Sequence, residues 1–140
     1  MIYVDTSALV PLFIREAKSE AVIAWLESSG ERLAISEWSL VEFASAAAIK
    51  VRTGQTAASL AKQASARFEE FAQKHCTVAV PGRAEFRRAA EMAADEDLKL
   101  RTGDALHLAI AGSLNVKSIL SLDDAMTQSA KSLGMKVVTV

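Results

Sequence analysis

Apolar and polar positions change their period several times along the chain, and each change marks an element. The chain opens on a β-rich apolar run, Ile2-Tyr3-Val4-Asp5, too short for a helix and without helical spacing, which predicts a buried strand. The turn Asp5-Thr6-Ser7 leads with almost no loop into a helix-type segment, Ala8–Ile14. After the polar connection Arg15–Lys18, the residues Ala21, Val22, Trp25 and Leu26 recur at helical spacing. They predict a second helix over 19–29, with Ser19 placed to cap it and Gly30 to end it in the left-handed conformation. Leu33–Ile35 reads as a strand, Ser36 as a cap, and 37–52 as a third helix closed by Thr53-Gly54. Gln55-Thr56 opens a long helix to about Lys74, with Leu60, Ala64, Phe68 and Phe71 as its buried stripe.

Thr77–Val80 is the next strand, ended by Pro81-Gly82 and followed by a helix over 83–94. Thr102 is placed to cap a helix that runs through Ala111, and Asn115–Leu120 turns into a fourth strand. A helix over 125–133 stops at Gly134, and Met135–Val140 forms a last strand at the sheet edge. Strands that alternate with helices, with no hairpin signal, predict an α/β fold: a mainly parallel central sheet of about five short strands flanked by helices on both faces, three layers in all.

Composition narrows this picture. A length of 140 residues suits a single domain spanning 1–140, and 51% hydrophobic content with only 6% aromatic residues suits alanine-rich helices packed on a small sheet. The start lacks the cationic region of a signal peptide, and charges interrupt every apolar run well short of a membrane span, so a soluble, cytoplasmic protein is expected. One cysteine, Cys76, cannot form an internal disulfide and reads as a packing residue; with only His75 and His107 beside it, no zinc site assembles. A net charge of −1 excludes broad electrostatic binding of nucleic acid, so any RNA contact must be local. The dense positive group is Arg83, Arg87 and Arg88, with Lys99 and Arg101 later; it reads first as a solvated helix surface and only second as an RNA contact.

Four acids stand out by their settings. Asp5 ends the first strand, at the sheet edge where open α/β proteins bind ligands, although Asp there is also a good helix N-cap. Glu42 is the one charged residue between Trp38 and Ile49; facing inward it would be partly desolvated and need compensation, whereas beside Ser39 and Ser45 it fits a narrow exposed stripe. Asp104 lies in the first turn of its helix, where the macrodipole favours a negative charge. Asp123, with Asp124 after it, ends the fourth strand. His107 shares a helix face with Asp104 and fits either a core position or the same cleft. The run Asp95-Glu96-Asp97 reads as a solvated helix end.

Under this topology Asp5, Glu42, Asp104 and Asp123 can converge on one cleft. Carboxylates and little else make a hard-oxygen site suited to Mg²⁺ or Mn²⁺, and a divalent ion among them activates water and neutralises a leaving oxygen. Phosphodiester hydrolysis is the natural reaction of such a site. The chain has no nucleophilic triad pattern and no phosphate-cradling glycine loop.

These fragments, Ile2-Tyr3-Val4-Asp5-Thr6-Ser7-Ala8-Leu9-Val10, Ser39-Leu40-Val41-Glu42-Phe43, Gly103-Asp104-Ala105-Leu106-His107-Leu108-Ala109 and Ser121-Leu122-Asp123, together resemble a PIN domain. Their order over essentially the whole chain is similar to that of the stand-alone PIN ribonucleases that serve as VapC toxins of toxin–antitoxin pairs. The resemblance implies a Mg²⁺- or Mn²⁺-dependent endoribonuclease with Asp5, Glu42, Asp104 and Asp123 as catalytic, metal-binding carboxylates. It also implies a hydroxyl from Ser7 in support of the metal's water shell, and a Ser121 that stands where relatives often carry threonine. Asp123 rather than Asp124 matches the fourth acid, and Asp124 reads as first-turn helix charge. The partners implied are a structured RNA substrate (tRNA, rRNA or mRNA), a small antitoxin that blocks the acidic cleft with an Arg or Lys side chain, and a second copy in a homodimer.

Competing functions fit less well. A phosphatase of the haloacid-dehalogenase type wants a second Asp where Ser7 stands. A receiver domain wants an acid pair in its first loop and a lysine ending a late strand, whereas Lys117 begins one. A PIN-like module that binds RNA or protein with little turnover remains the non-enzymatic alternative; loss of an acid would favour it, and none is lost.

Overall fold

The computed structural model describes residues 1–140. Five strands, β1 (Ile2–Val4), β2 (Leu33–Ser36), β3 (Cys76–Ala79), β4 (Ser118–Leu120) and β5 (Lys136–Val138), form one sheet in the order β3-β2-β1-β4-β5. Every pairing is parallel, as in Tyr3 opposite both Ala34 and Ile119. The helices are α1 (Thr6–Phe13), α2 (Ser19–Ser29), α3 (Glu37–Arg52), α4 (Ala58–His75), α5 (Arg83–Ala94), α6 (Thr102–Ser113) and α7 (Asp124–Ser132). None is long and apolar enough to cross a membrane.

Strand periodicity divides the core in two. Ile2, Val4, Leu33 and Ile35 point to one face and are covered by α1 to α4, where Phe43 and Phe68 stack with ring centroids 4.3 Å apart. Tyr3, Ala34 and Ile119 point to the other face and meet Leu106 and Ile110 of α6 with Met92 of α5 and Met126 of α7. The three layers follow from this alternation. β1 is central and buried along its whole length, so its last residue and the start of α1 are held rigidly at the middle of the sheet's carboxyl edge.

Several boundaries differ from those the pattern predicts. Helix α1 begins at Thr6 rather than Ala8, because the carbonyl of Asp5 already accepts from the amides of Ala8 and Leu9. Lys18, not Ser19, occupies the cap position of α2; the Ser19 hydroxyl instead donates to the Pro11 carbonyl at 2.6 Å and accepts from the Glu16 amide, pinning α1 to α2. Gln55 and Thr56 remain in the turn, and α4 starts at Ala58. Its buried stripe is Ala61, Ala64, Phe68 and Ala72; Leu60, one residue out of phase, is exposed. β3 lies one residue earlier than expected, leaving Val80 in solvent, and Arg101 rather than Thr102 caps α6. Gly30 ends α2 at φ 58°, the left-handed geometry expected of it.

Candidate active site

The carboxyl edge of the sheet opens into a cleft of about 350 Å³ lined by Asp5, Ser7, Trp38, Glu42, Asp104 and Asp123, with Thr6, Arg101, Thr102 and Gly103. All four acids singled out in the sequence thus border one cavity, each delivered by a different segment. Asp5 arrives at the end of β1, Glu42 from the second turn of α3, Asp104 from the first turn of α6, and Asp123 between β4 and α7. Asp5, Asp104 and Asp123 each lie at a helix N-terminus, so three sets of backbone dipoles favour negative charge at the same spot.

Asp5 is buried, and it occupies the cap position of α1 without capping through its side chain. Its Oδ2 accepts instead from the hydroxyls of Ser7 at 2.5 Å and Ser121 at 2.7 Å. Those serines stitch the ends of β1 and β4 together: the Leu122 amide donates to Ser7 at 2.9 Å and the Asp123 amide to Ser121 at 3.1 Å. Asp123 divides its oxygens. Oδ1 caps α7 by accepting from the Met126 amide at 2.9 Å, while Oδ2 meets Arg101 at 2.5 Å. Asp124 lies in the first turn of α7 and does not line the cleft.

Glu42 is half-buried, which discards the exposed-stripe reading; Ser39 is fully buried. Its Oε2 lies 2.7 Å from Nε2 of His107, and its Oε1 lies so near Gly103 that a Cβ there would come within 2.5 Å of it. Burial pushes the Glu42 carboxyl up, but the His107 hydrogen bond and charge, helped by Thr6, outweigh this and hold it below the ordinary carboxylate range. His107 is itself buried, with Nδ1 2.8 Å from the Tyr3 hydroxyl and Nε2 3.4 Å from Oδ1 of Asp5. Burial would lower its pKa, yet the bond to Glu42 and the charges of Asp5, Glu42 and Asp104 raise it above the usual histidine value. Asp104 is pushed up, first by burial and then by Asp123 and Asp5, against the pull of Arg101. Burial also pushes the Tyr3 hydroxyl up, so it stays protonated.

The residues fit a divalent cation by the chemistry of the donor set. Asp5, Glu42 and His107 bring ligand atoms within 4.8 Å of one another, with two more carboxylates on the same wall. Without an ion the chain supplies positive charge of its own: His107 lies between Asp5 and Glu42, and the exposed Arg101 spans Asp104 at 3.2 Å and Asp123 at 2.5 Å. Gly103 keeps open the space that the Glu42 carboxylate occupies.

The sequence leaves His107 between core and cleft; the structure puts it in the core, bonded to the cleft residue Glu42. Sequence reasoning missed Tyr3, Arg101 as a cleft residue, and the close packing of Gly103. A signal existed for Tyr3: a phenol on a strand read as buried, opposite in phase to Ile2 and Val4, requires a hydrogen-bond partner in the core. Arg83, Arg87 and Arg88 do not line the acidic cleft, and Arg88 pairs with Glu91 on its own helix.

A parallel sheet in this order, with acids from four segments meeting at its carboxyl edge, is an α/β architecture whose open cleft has the donor set of a divalent-cation site. The PIN-domain family model matches residues 2–132, and the chain belongs to that family, whose nucleases depend on metal ions. It is 30% identical to the ribonuclease VapC46 of Mycobacterium tuberculosis, over 98% of this chain and 95% of that protein. The crystal structure of VapC20 of the same organism, a toxin that cleaves the sarcin–ricin loop, superposes with a TM-score of 0.73 at 15% identity, covering 92% of this chain and 95% of that one. VapBC2 of Rickettsia felis, solved with a DNA fragment from its promoter, gives a TM-score of 0.66 at 15% identity, covering 99% and 98%.

Proposed function

We propose that this chain is a Mg²⁺- or Mn²⁺-dependent endoribonuclease, the toxin of a type II toxin–antitoxin pair. Asp5, Glu42, Asp104 and Asp123 would hold the ion. The observation that carries the reading is the convergence of these four carboxylates on one cleft in a chain related along its length to a VapC ribonuclease. Held there by these carboxylates, a divalent ion would lower the pKa of a bound water and offset the charge that develops on the phosphate. The protein's own part is arrangement. Ser7 and Ser121 orient Asp5, His107 orients Glu42, and the α7 cap orients Asp123. Arg101, exposed at the rim, is free to exchange its carboxylate partners for a phosphate of the RNA.

The partners are a structured RNA, a small antitoxin whose basic side chain competes for the cleft, and a second copy of the chain in a homodimer. The acidic cleft supports a basic plug on charge alone, and the likeness to VapBC2 is in keeping with a two-protein assembly. The test is cleavage of total RNA by purified protein in Mg²⁺ or Mn²⁺, beside EDTA and an Asp104→Asn control. Discrete fragments that need both the metal and the intact acid support the proposal. RNA binding without cleavage in any metal would replace it with a binding module.

A further inference from the structure

We infer that His107, anchored by the Tyr3 hydroxyl, is a positioning residue that fixes the Glu42 carboxylate for the divalent ion. This rests on the reading of Glu42 as a metal ligand.

A glutamate on a helix surface has several free torsions and loses considerable rotamer entropy when a ligand demands one geometry. Glu42 retains 28% of its side-chain exposure and would otherwise sample solvent, and the strongest of its polar contacts with the protein interior limits it. That contact is Nε2 of His107 at 2.7 Å, from a side chain only 1% exposed. The imidazole has no freedom to follow a moving carboxylate. Its ring packs edge-on to the Tyr3 ring, centroids 5.6 Å apart at 62°, and its Nδ1 lies 2.8 Å from the Tyr3 hydroxyl. Tyr3 is fully buried on the central strand, and its hydroxyl also lies within hydrogen-bond distance of Ser36 Oγ at 3.1 Å. The chain of contacts therefore runs from the middle of the sheet to the cleft.

The ionised carboxylate of Glu42 can only accept, so its 2.7 Å contact with His107 requires the proton on Nε2. Nδ1 then accepts from the Tyr3 hydroxyl in the neutral ring, or donates to it when the ring is protonated at both nitrogens. The other Glu42 oxygen occupies the space where a side chain at position 103 would stand, so His107 holds one oxygen and the bare Gly103 leaves room for the other before any ion arrives. The ring is buried yet faced by polar atoms, with Thr6 Oγ1 at 3.3 Å and Asp5 Oδ1 at 3.4 Å beside the two bonds already named, so His107→Leu keeps the burial and removes the link.

Mn²⁺ titration followed by electron paramagnetic resonance, with thermal melting of each sample, tests the inference on wild type, Tyr3→Phe, His107→Leu and His107→Gln. Loss of a residue that orients a metal ligand weakens metal binding about tenfold or more, and that drop is expected for Tyr3→Phe and for His107→Leu. His107→Gln keeps an N–H donor near the Nε2 position and should recover most of the affinity, a rescue that a purely structural role would not produce. Wild-type affinity in folded His107→Leu overturns the inference. Should that variant fail to fold, wild-type affinity in Tyr3→Phe overturns it, since this change keeps the ring and removes only the hydroxyl. A wild-type protein that binds no Mn²⁺ would overturn the metal reading itself, and is told apart because it needs no variant.

Discussion

Gly103 offers a perturbation whose effects on function and on stability should separate. A Cβ at this position would lie 2.5 Å from Oε1 of Glu42, 3.4 Å from Nε1 of Trp38 and 3.7 Å from Cδ of Glu42. Carbon and oxygen in ordinary contact need about 3.3 Å, so in Gly103→Ala the carboxylate must retreat by about 0.8 Å. Its bond to His107 is 2.7 Å long, and a shift of that size away from Gly103 weakens or breaks it. A charge-assisted hydrogen bond contributes about 1.5–3 kcal/mol, but the half-exposed carboxylate regains water, and alanine gains about 0.5–1 kcal/mol over glycine within a helix. The gain offsets part of the loss, and unfolding free energy should fall by about 0.5–2.5 kcal/mol. Catalysis has no such offset: a misplacement near 1 Å costs on the order of 10²-fold in rate. Gly112 on the same helix provides the control, because nothing lies within 4 Å of a Cβ there. Gly112→Ala should gain the helical increment and cleave RNA at the wild-type rate. Denaturant melts and initial cleavage rates on the three proteins decide the matter. Wild-type cleavage by Gly103→Ala would refute the claim that the Glu42 carboxylate must stay where this structure places it.

Arg101→Ala removes an exposed residue whose ion pairs are worth less than about 1 kcal/mol, so melting should barely move, while Mn²⁺ binds more tightly because the guanidinium no longer competes for Asp104 and Asp123. Unchanged affinity in a calorimetric titration removes Arg101 as a competitor. The metal-free protein should lose stability as pH rises above about 6.5: the folded-state pKa of His107 is raised above that value, so its contribution is complete below it and disappears as the pH climbs through the raised value. Asp104, also raised, acts in the same sense above 3.8, whereas Glu42, lowered, loses its contribution only as pH falls below 4.5. Melting in EDTA between about pH 6 and about pH 9 reads this, and a flat or rising profile contradicts it. Phe43→Ala removes the ring stacked on Phe68 in the core beneath α3 and should cost about 3–5 kcal/mol by urea unfolding; a loss under about 1 kcal/mol would mean that the cluster is not the packed core described.

The sheet and helices were legible because the period of apolar residues changes cleanly from strand to helix. Ends were less so. Ser19 looks like a cap but bonds to α1, and Leu60 looks like core but lies one residue out of phase with Ala61, Ala64 and Phe68; only the neighbouring element decides either case. Acids were easy to find for a similar reason: Glu42 in an apolar helix and Asp5 at a strand end are conspicuous against their surroundings. Tyr3 is hidden in the sequence and His107 ambiguous because each is acceptable as core, and their chemistry depends on a contact across 104 residues that no local pattern encodes. Arg101 was grouped with Arg83 and Arg87 by sequence proximity to a basic stretch, yet it turns toward the acids that flank it in space.

Anomalous diffraction from crystals of the protein soaked in Mn²⁺ addresses the central claim directly. The account predicts a manganese peak in the cleft, bonded to Asp5 and at least one of Glu42, Asp104 and Asp123, and its disappearance in Asp5→Asn crystals. Full occupancy elsewhere on the surface with an empty cleft, or an undiminished peak in Asp5→Asn, would contradict it.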